Sequence, residues 1–452
     1  MPEEDLSGYS GLSRELLHRA GAHIGDRIRL GIRDGAEEKV VEGLLMPRFL
    51  TGRDEDYVVL KLRTGYNVGV RINSSTSVSP LGKGAEPHFT RPALPKQRPG
   101  LPKVSIISTG GTIVSKVDYR TGAVKSALDA EDLYSVVPEL ADVADIKAEI
   151  LFNIFSENIG PPQWARIADS VAEQVRAGAD GVVIAHGTDT LGYTAAALSF
   201  ALRELPVPVV LVGSQRSSDR PSSDAATNLL ASTTVAGHAP FAEVVVAMHE
   251  WISDERVTIH RGTKVRKCHT SRRDAFKSVN ARPLAYYDLT KKSLELNDDR
   301  YAKRRKQADW TVHSKFDPNV ALIKFHPGIS VGIIDWASAT GYKGIVLEGS
   351  GLGHVSEALY PAVERAVKAG VVVAMCSQCV WGRVHMNVYS TGRDLLGIGV
   401  VQLEDMLPET ALVKMMWAFG QEKDPENVKK IMNMNIANEI SDRRIEETMK
   451  SR

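Results

Sequence analysis

Residues 104–116 read VSIISTGGTIVSK. The apolar run Val104 to Ile107 has the texture of a buried strand, and it stops abruptly at Thr109-Gly110-Gly111-Thr112. A turn needs one glycine; two of them between hydroxyl side chains leave the backbone bare enough for a ligand to approach. In open sheets of parallel strands, ligands gather at the carboxyl ends of the strands. The stretch therefore predicts a strand–loop unit and raises the question of whether Thr109 and Thr112 do chemistry.

From residue 103 onward the same alternation repeats. Strands are expected over 104–108, 146–152, 181–185, 207–212 and 243–248, with helical patterns between them such as PQWARIADSVAEQVRAG (162–178) and TLGYTAAALSFALREL (190–205). Alternation of this kind predicts a parallel sheet with helices on both faces. A basic, polar connection, RYAKRRKQADWTVHSKF (300–316), reads as a solvated interdomain linker. Strands resume over 320–325, 344–347 and 371–375, predicting a second, smaller α/β domain. Upstream, residues 23–80 alternate apolar side chains with Gly and Asp punctuation, as a small β-barrel does. The expected order is a β-barrel extension (1–85), a Pro/Gly-rich linker (86–102), a larger α/β domain (103–305), a smaller one (306–420) and a helical tail (421–452).

Bulk properties narrow the function. The chain has 452 residues and a formal charge of +1, so overall charge supplies no argument for nucleic-acid binding. Its three cysteines are too few for a disulfide framework. Cys376 and Cys379 have CxxC spacing, but no second pair completes a zinc site, and both are expected to be buried thiols. The acidic N-terminus and the lack of a run of about 20 apolar residues predict a cytoplasmic protein with no membrane span.

A second threonine loop follows another strand: VVIAHGTDTLGYT (182–194) places Gly187, Thr188 and Asp189 just ahead of a helix. Helix capping explains it if it stands alone. Two such loops at the mouth of one sheet also suit acyl transfer from an amide. A hydroxyl becomes nucleophilic when a base takes its proton, and glycine N–H groups can stabilise the oxyanion that forms. RGTKVRKCHTSRRDAFKSVNARPL (261–284) supplies a lysine, though by itself it reads as a charged loop. No GxGxxG or GxxxxGK nucleotide loop is present.

Taken together, TGGTI, HGTDT, DAFKSVNARPLAYY (274–287) and GIVLEGSGLGHVS (344–356) resemble the bacterial-type L-asparaginase and glutaminase family over about residues 103–420. The resemblance implies Thr112 as nucleophile and Thr188, Asp189 and Lys267 as the second catalytic group. It places Tyr119 on the active-site lid and Ser156-Glu157 at the substrate's α-carboxylate and amine. Glu157 stands where many members carry glutamine. His354 stands where stand-alone members often carry an asparagine that reaches into a neighbouring subunit, which puts their tetramer in doubt.

The β-rich extension makes the chain similar to the branch of this family that forms the D-type subunit of archaeal glutamyl-tRNA(Gln) amidotransferases. That branch implies a glutaminase, or asparagine-using, component of a ligase in protein biosynthesis. It further implies a homodimer at the core of a heterotetramer with the E-type amidotransferase subunit. That partner would hold most of the Glu-tRNA(Gln) and use ATP with magnesium, and the chain read here would need no cofactor. A stand-alone L-asparaginase/glutaminase and a non-catalytic tRNA- or partner-binding scaffold are the competing expectations.

Overall fold

The computed structural model describes residues 6, 8–34, 37–48, 56–63, 67–83, 99–111, 115–117, 124–126, 133–134, 137–216, 222–305 and 310–442. Most of the expected linker (84–98), the loop positions Thr112 and Tyr119 and the last ten residues lie outside them. The chain divides into two compact units, one built on the N-terminal strands and one holding both α/β layers.

In the first unit, β1 (Asp26–Asp34), β2 (Glu37–Leu45), β3 (Tyr57–Lys61), β4 (Asn67–Arg71) and β5 (Ser77–Lys83) form one antiparallel sheet in the order β4-β3-β2-β1-β5. Alternating residues, among them Ile28, Leu30, Val58 and Leu60, point inward and close over Leu17 of the helix Gly11–Arg19. The Tyr9 hydroxyl ties the chain ahead of that helix to this core, donating to the Met46 carbonyl (2.8 Å) and accepting from the Val59 amide (2.9 Å).

The second unit opens with β6 (Lys103–Ser108). After it come two short strands that belong to the first unit, β7 (Ser115–Val117) and β8 (Val124–Ser126), paired antiparallel. β6 pairs in parallel with β9 (Asp145–Ile150) on one side and with β10 (Gly181–Ala185) on the other. β11 (Val209–Val212) and β12 (Val244–His249) extend the parallel run. The chain leaves β6 for β9 and then crosses back to β10, which puts the topological switch at β6. The loops after β6, β9 and β10 therefore open on one crevice. The helices Pro161–Arg176 and Leu191–Ala201 cover one face of this sheet, while Ala225–His238 lies on the other.

The sheet does not end at β12. β13 (Arg256–Arg261), β16 (Ala285–Asp288) and β17 (Ser293–Leu296) continue it antiparallel, and β14 (Val265–Lys267) pairs with β15 (Phe276–Ser278) as a separate ribbon. The charged-loop reading of residues 261–284 is thus corrected. Arg261, Lys264 and Asp274 are buried there. Their charges are matched within the fold: Arg261 lies 3.0 Å from Glu243 and 2.9 Å from Asp298. Polarity alone misreads such a segment because paired charges can be buried when their partners come from distant chain.

The smaller sheet is parallel, with β18 (Val320–Lys324), β19 (Gly344–Gly349), β20 (Val372–Ser377) and β21 (Val401–Gln402) in that order. Its inner helix, Pro408–Gln421, packs on Leu191–Ala201 of the larger layer, with Trp417 stacked on Phe200 at 5.8 Å. One apolar core runs through both layers.

The segment read as a solvated linker is also corrected. Arg304 donates to the carbonyls of Ala236 and Gly237, at the C-terminal end of the helix Ala225–His238. Trp310, Val312 and Phe316 pack against the core. Cys376 is buried as expected, whereas Cys379 is exposed. No helix among the described residues is long and apolar enough to cross a membrane.

The tail holds one further helix, Pro425–Asn433. Beyond it Glu439 is fully buried, 2.6 Å from the equally buried Lys414.

Candidate active site

Three loops from the switch point press on one another. Gly110 and Gly111 both sit in the left-handed region (φ +113° and +89°). A side chain on Gly111 would collide with the Gly187 amide nitrogen at 2.7 Å, and one on Gly187 would collide with the Ser156 β-carbon at 2.8 Å. The Thr190 hydroxyl donates to the Ser156 carbonyl at 2.5 Å, joining the loop after β10 to the loop after β9. The glycines are therefore there for close approach of backbone to backbone. Thr109 is fully buried and bonds the Ala185 carbonyl through both its amide and its hydroxyl (3.0 Å each), so it is structural.

Lys267 arrives from the end of β14. Its Nζ donates to Thr188 Oγ1 at 2.9 Å and to Asp189 Oδ1 at 2.7 Å. The lysine side chain is largely buried and the aspartate carboxylate is 72 % exposed. Thr188 and Asp189 precede the helix Leu191–Ala201, but Thr190 holds its N-cap place and makes no side-chain cap bond. A capping role thus leaves the contacts to Lys267 unexplained.

Beneath the loop lies a polar chain that sequence reading missed. His186 is fully buried, and that burial pushes its imidazole down to about 4. A neutral ring donates from Nδ1 to the Gly187 carbonyl (2.7 Å) and accepts at Nε2 from the Thr194 hydroxyl (2.8 Å). Thr194 in turn accepts from Trp164 Nε1 at 3.2 Å. His186 and Thr194 belong to the same HGTDT segment and its helix. Nothing in their spacing marks them out, because the contact depends on how strand and helix meet.

The structure thus gathers Gly111, Ser156, Gly187, Thr188, Asp189 and Lys267. Glu157, next to Ser156, is exposed. Thr112 and Tyr119 lie outside the described residues, and the described part of their loop ends at Gly111. His354 lies in the smaller layer, where its ring meets Tyr389 edge-on at 5.4 Å and its Nδ1 is 3.3 Å from Thr391 Oγ1.

Comparison with known proteins accounts for this arrangement. Residues 103–301 match the family model described as asparaginase, N-terminal, and residues 319–432 match the glutaminase/asparaginase C-terminal domain. Residues 22–81 match the GatD N-terminal domain. The L-asparaginase of Thermococcus kodakarensis superposes with a TM-score of 0.66 at 35% identity, over 75% of this chain and 99% of its own. An L-asparaginase I from Vibrio cholerae gives 0.66 at 28% identity, with the same coverage. The D-type subunit of glutamyl-tRNA(Gln) amidotransferase from Thermofilum pendens is 49% identical over 96% of this chain and 97% of its own length. Its counterpart from Metallosphaera sedula is 51% identical over 97% of each.

The chain belongs to the family of D-type subunits of glutamyl-tRNA(Gln) amidotransferases.

It carries an amidohydrolase body of the asparaginase type, with the β-rich extension ahead of it. Within such a body the Lys267–Thr188–Asp189 contact is a proton path. A proton leaving Thr188, or a water beside it, can pass to Lys267 only as Lys267 gives one up to Asp189.

Proposed function

We propose that this protein releases ammonia from the side-chain amide of glutamine, and that a partner of the E-type amidotransferase class uses the ammonia to convert Glu-tRNA(Gln) to Gln-tRNA(Gln). One observation carries the reading: the Lys267 ammonium bridges Thr188 and Asp189 from almost 80 residues away in the chain. Thr112 Oγ1 attacks the amide carbon of glutamine, and the backbone N–H groups of the glycine loops face the oxyanion. The carbon–nitrogen bond breaks as a proton passes to the leaving ammonia, which leaves a threonyl ester of glutamate. Water, deprotonated through Thr188, Lys267 and Asp189, then hydrolyses the ester and restores Thr112. Ser156 and Glu157 hold the α-carboxylate and α-ammonium, and Tyr119 closes over Thr112.

No cofactor enters these steps. ATP and magnesium belong to activation of the glutamyl-tRNA by the partner, in a cytoplasmic heterotetramer with a dimer of this chain at its core. The names of the relatives and the near-zero net charge support a division of labour in which the partner holds the tRNA.

The test is ammonia release from glutamine by the full chain, with and without co-expressed partner and glutamyl-tRNA. The expected result is release that rises with both and is lost in Thr188→Ala. Full-rate hydrolysis of free glutamine or asparagine by the chain alone would instead identify a stand-alone asparaginase/glutaminase. Unchanged transamidation in Thr188→Ala would identify a scaffold.

A further inference from the structure

The catalytic lysine of the proposed reaction stands on a poor support. β14 is three residues long and pairs only with β15 (Val265↔Ser278, Arg266↔Lys277, Lys267↔Phe276). An isolated two-stranded ribbon is marginal in water. Something else must hold Lys267 within hydrogen-bond reach of Thr188 and Asp189.

Side chains alternate along extended backbone, so Lys264 and Arg266 leave the ribbon on the side opposite Val265 and Lys267. Both reach carboxylates of the smaller layer. Lys264 Nζ is 2.8 Å from Asp405 Oδ2, with both side chains buried (1 % and 7 % exposed). Arg266 Nε is 3.1 Å from Glu409 Oε1. The two carboxylates flank the start of the helix Pro408–Gln421, and Glu409 lies in its first turn, where the helix dipole favours a negative group.

Asp405 is itself anchored. Its Oδ1 accepts from the Ser441 amide (2.9 Å) and its carbonyl from Asn280 Nδ2 (3.1 Å). Asn280 also exchanges bonds with Gly382, donating to its carbonyl (2.9 Å) and accepting from its amide (2.8 Å).

We infer that Asp405 and Glu409 are positioning residues for Lys267: through Lys264 and Arg266 they clamp β14 to the smaller layer, so that this layer sets the reach of the lysine toward Thr188 and Asp189. The inference rests on the proposed reaction. It gives the smaller layer a part in turnover without a group at the reacting atoms.

The test uses the full chain with its co-expressed partner and reads kcat and KM for glutamine-dependent ammonia release, normalised to folded protein. Glu409→Gln and Arg266→Gln are the primary variants because this pair is partly exposed and tolerates substitution; Asp405→Asn follows. A misplacement approaching 1 Å costs up to about 10²-fold, so a kcat loss of about tenfold with KM changed less than about twofold is expected in each single variant. The double variant Arg266→Gln/Glu409→Gln should fall no further than either single one, since each acts through the other. Unchanged kcat in the folded single variants would overturn the inference, as would additive losses in the double variant or a drop confined to thermal stability. Thr188→Ala is assayed alongside. If it retains ammonia release, the proposed reaction fails; if it loses release while the Glu409 and Arg266 variants do not, only the clamp fails.

Discussion

The Nζ of Lys267 donates to Thr188 Oγ1 at 2.9 Å and to Asp189 Oδ1 at 2.7 Å, which ties a three-residue strand to the mouth of the parallel sheet. If this contact moves the proton, Lys267→Met removes both the relay and the charge while keeping the length of the side chain. Glutamine-dependent ammonia release should fall in kcat by about 10²–10⁴, the usual worth of a positioned acid–base group. Steady-state kinetics check this, and a variant within twofold of wild type would show that the contact is structural only.

Glycine at 187 is demanded by the neighbouring loop. In Gly187→Ala the new methyl meets the Ser156 β-carbon at 2.8 Å. Ser156 must retreat by several tenths of an ångström, and KM for glutamine should rise at least about tenfold, given that 1 Å of misplacement is worth about 10². Gly111→Ala should be worse. Its methyl meets backbone at 2.7 Å and its φ of +89° already disfavours any side chain. Parallel kinetics of the two variants give the ranking.

Lys414 and Glu439 form an ion pair with no solvent exposure on either side. Glu439 also accepts from the amides of Ile436 (3.0 Å) and Ala437 (2.6 Å), fastening the tail beyond Asn433 to the inner helix. Lys414→Met leaves a buried carboxylate without its cation and should cost about 3–5 kcal/mol. The double variant Lys414→Met/Glu439→Gln should recover part of that loss, because no charge is then stranded. Urea unfolding and a double-mutant cycle measure both.

Acid should weaken the second unit through its buried imidazoles. Burial pushes His186 from 6.5 to about 4 and His260 from 6.5 to about 3, so neither takes a proton while folded near neutrality. The unfolded chain binds protons there below about pH 6.5. Stability is therefore full above that pH and is lost as pH falls toward the folded values. Each histidine should remove about 2 kcal/mol between pH 7 and pH 5. Tryptophan fluorescence follows the unfolding, since all six tryptophans lie in the second unit. His260→Gln should shallow the acid loss by about its own share; an unchanged slope would mean that His260 does not carry it.

Much of this protein is legible without coordinates. Strand-then-glycine punctuation at 104–111 and 182–188 places β6 and β10 to within a residue, since buried parallel strands are short β-branched runs and loops at their ends must bend sharply. The same loops point to Thr188, Asp189, Gly111 and Gly187, which the structure brings together. Residues 261–284 mislead because their apolar periodicity is interrupted by Arg261, Lys264 and Asp274. The burial of Arg261 and Lys264 is visible only once Glu243, Asp298 and Asp405 are in place.

Local pattern thus determined which segments are strands and which loops carry hydroxyls, because those features depend on neighbours a few residues apart. Tertiary structure alone decided that Lys267 reaches Thr188, that His186 is held neutral under Gly187, and that Asp405 and Glu409 grip β14. Each of these is a contact between groups distant in sequence or turned toward each other by packing. Its energy comes from burial and from charges meeting at about 3 Å, which no run of adjacent residues encodes.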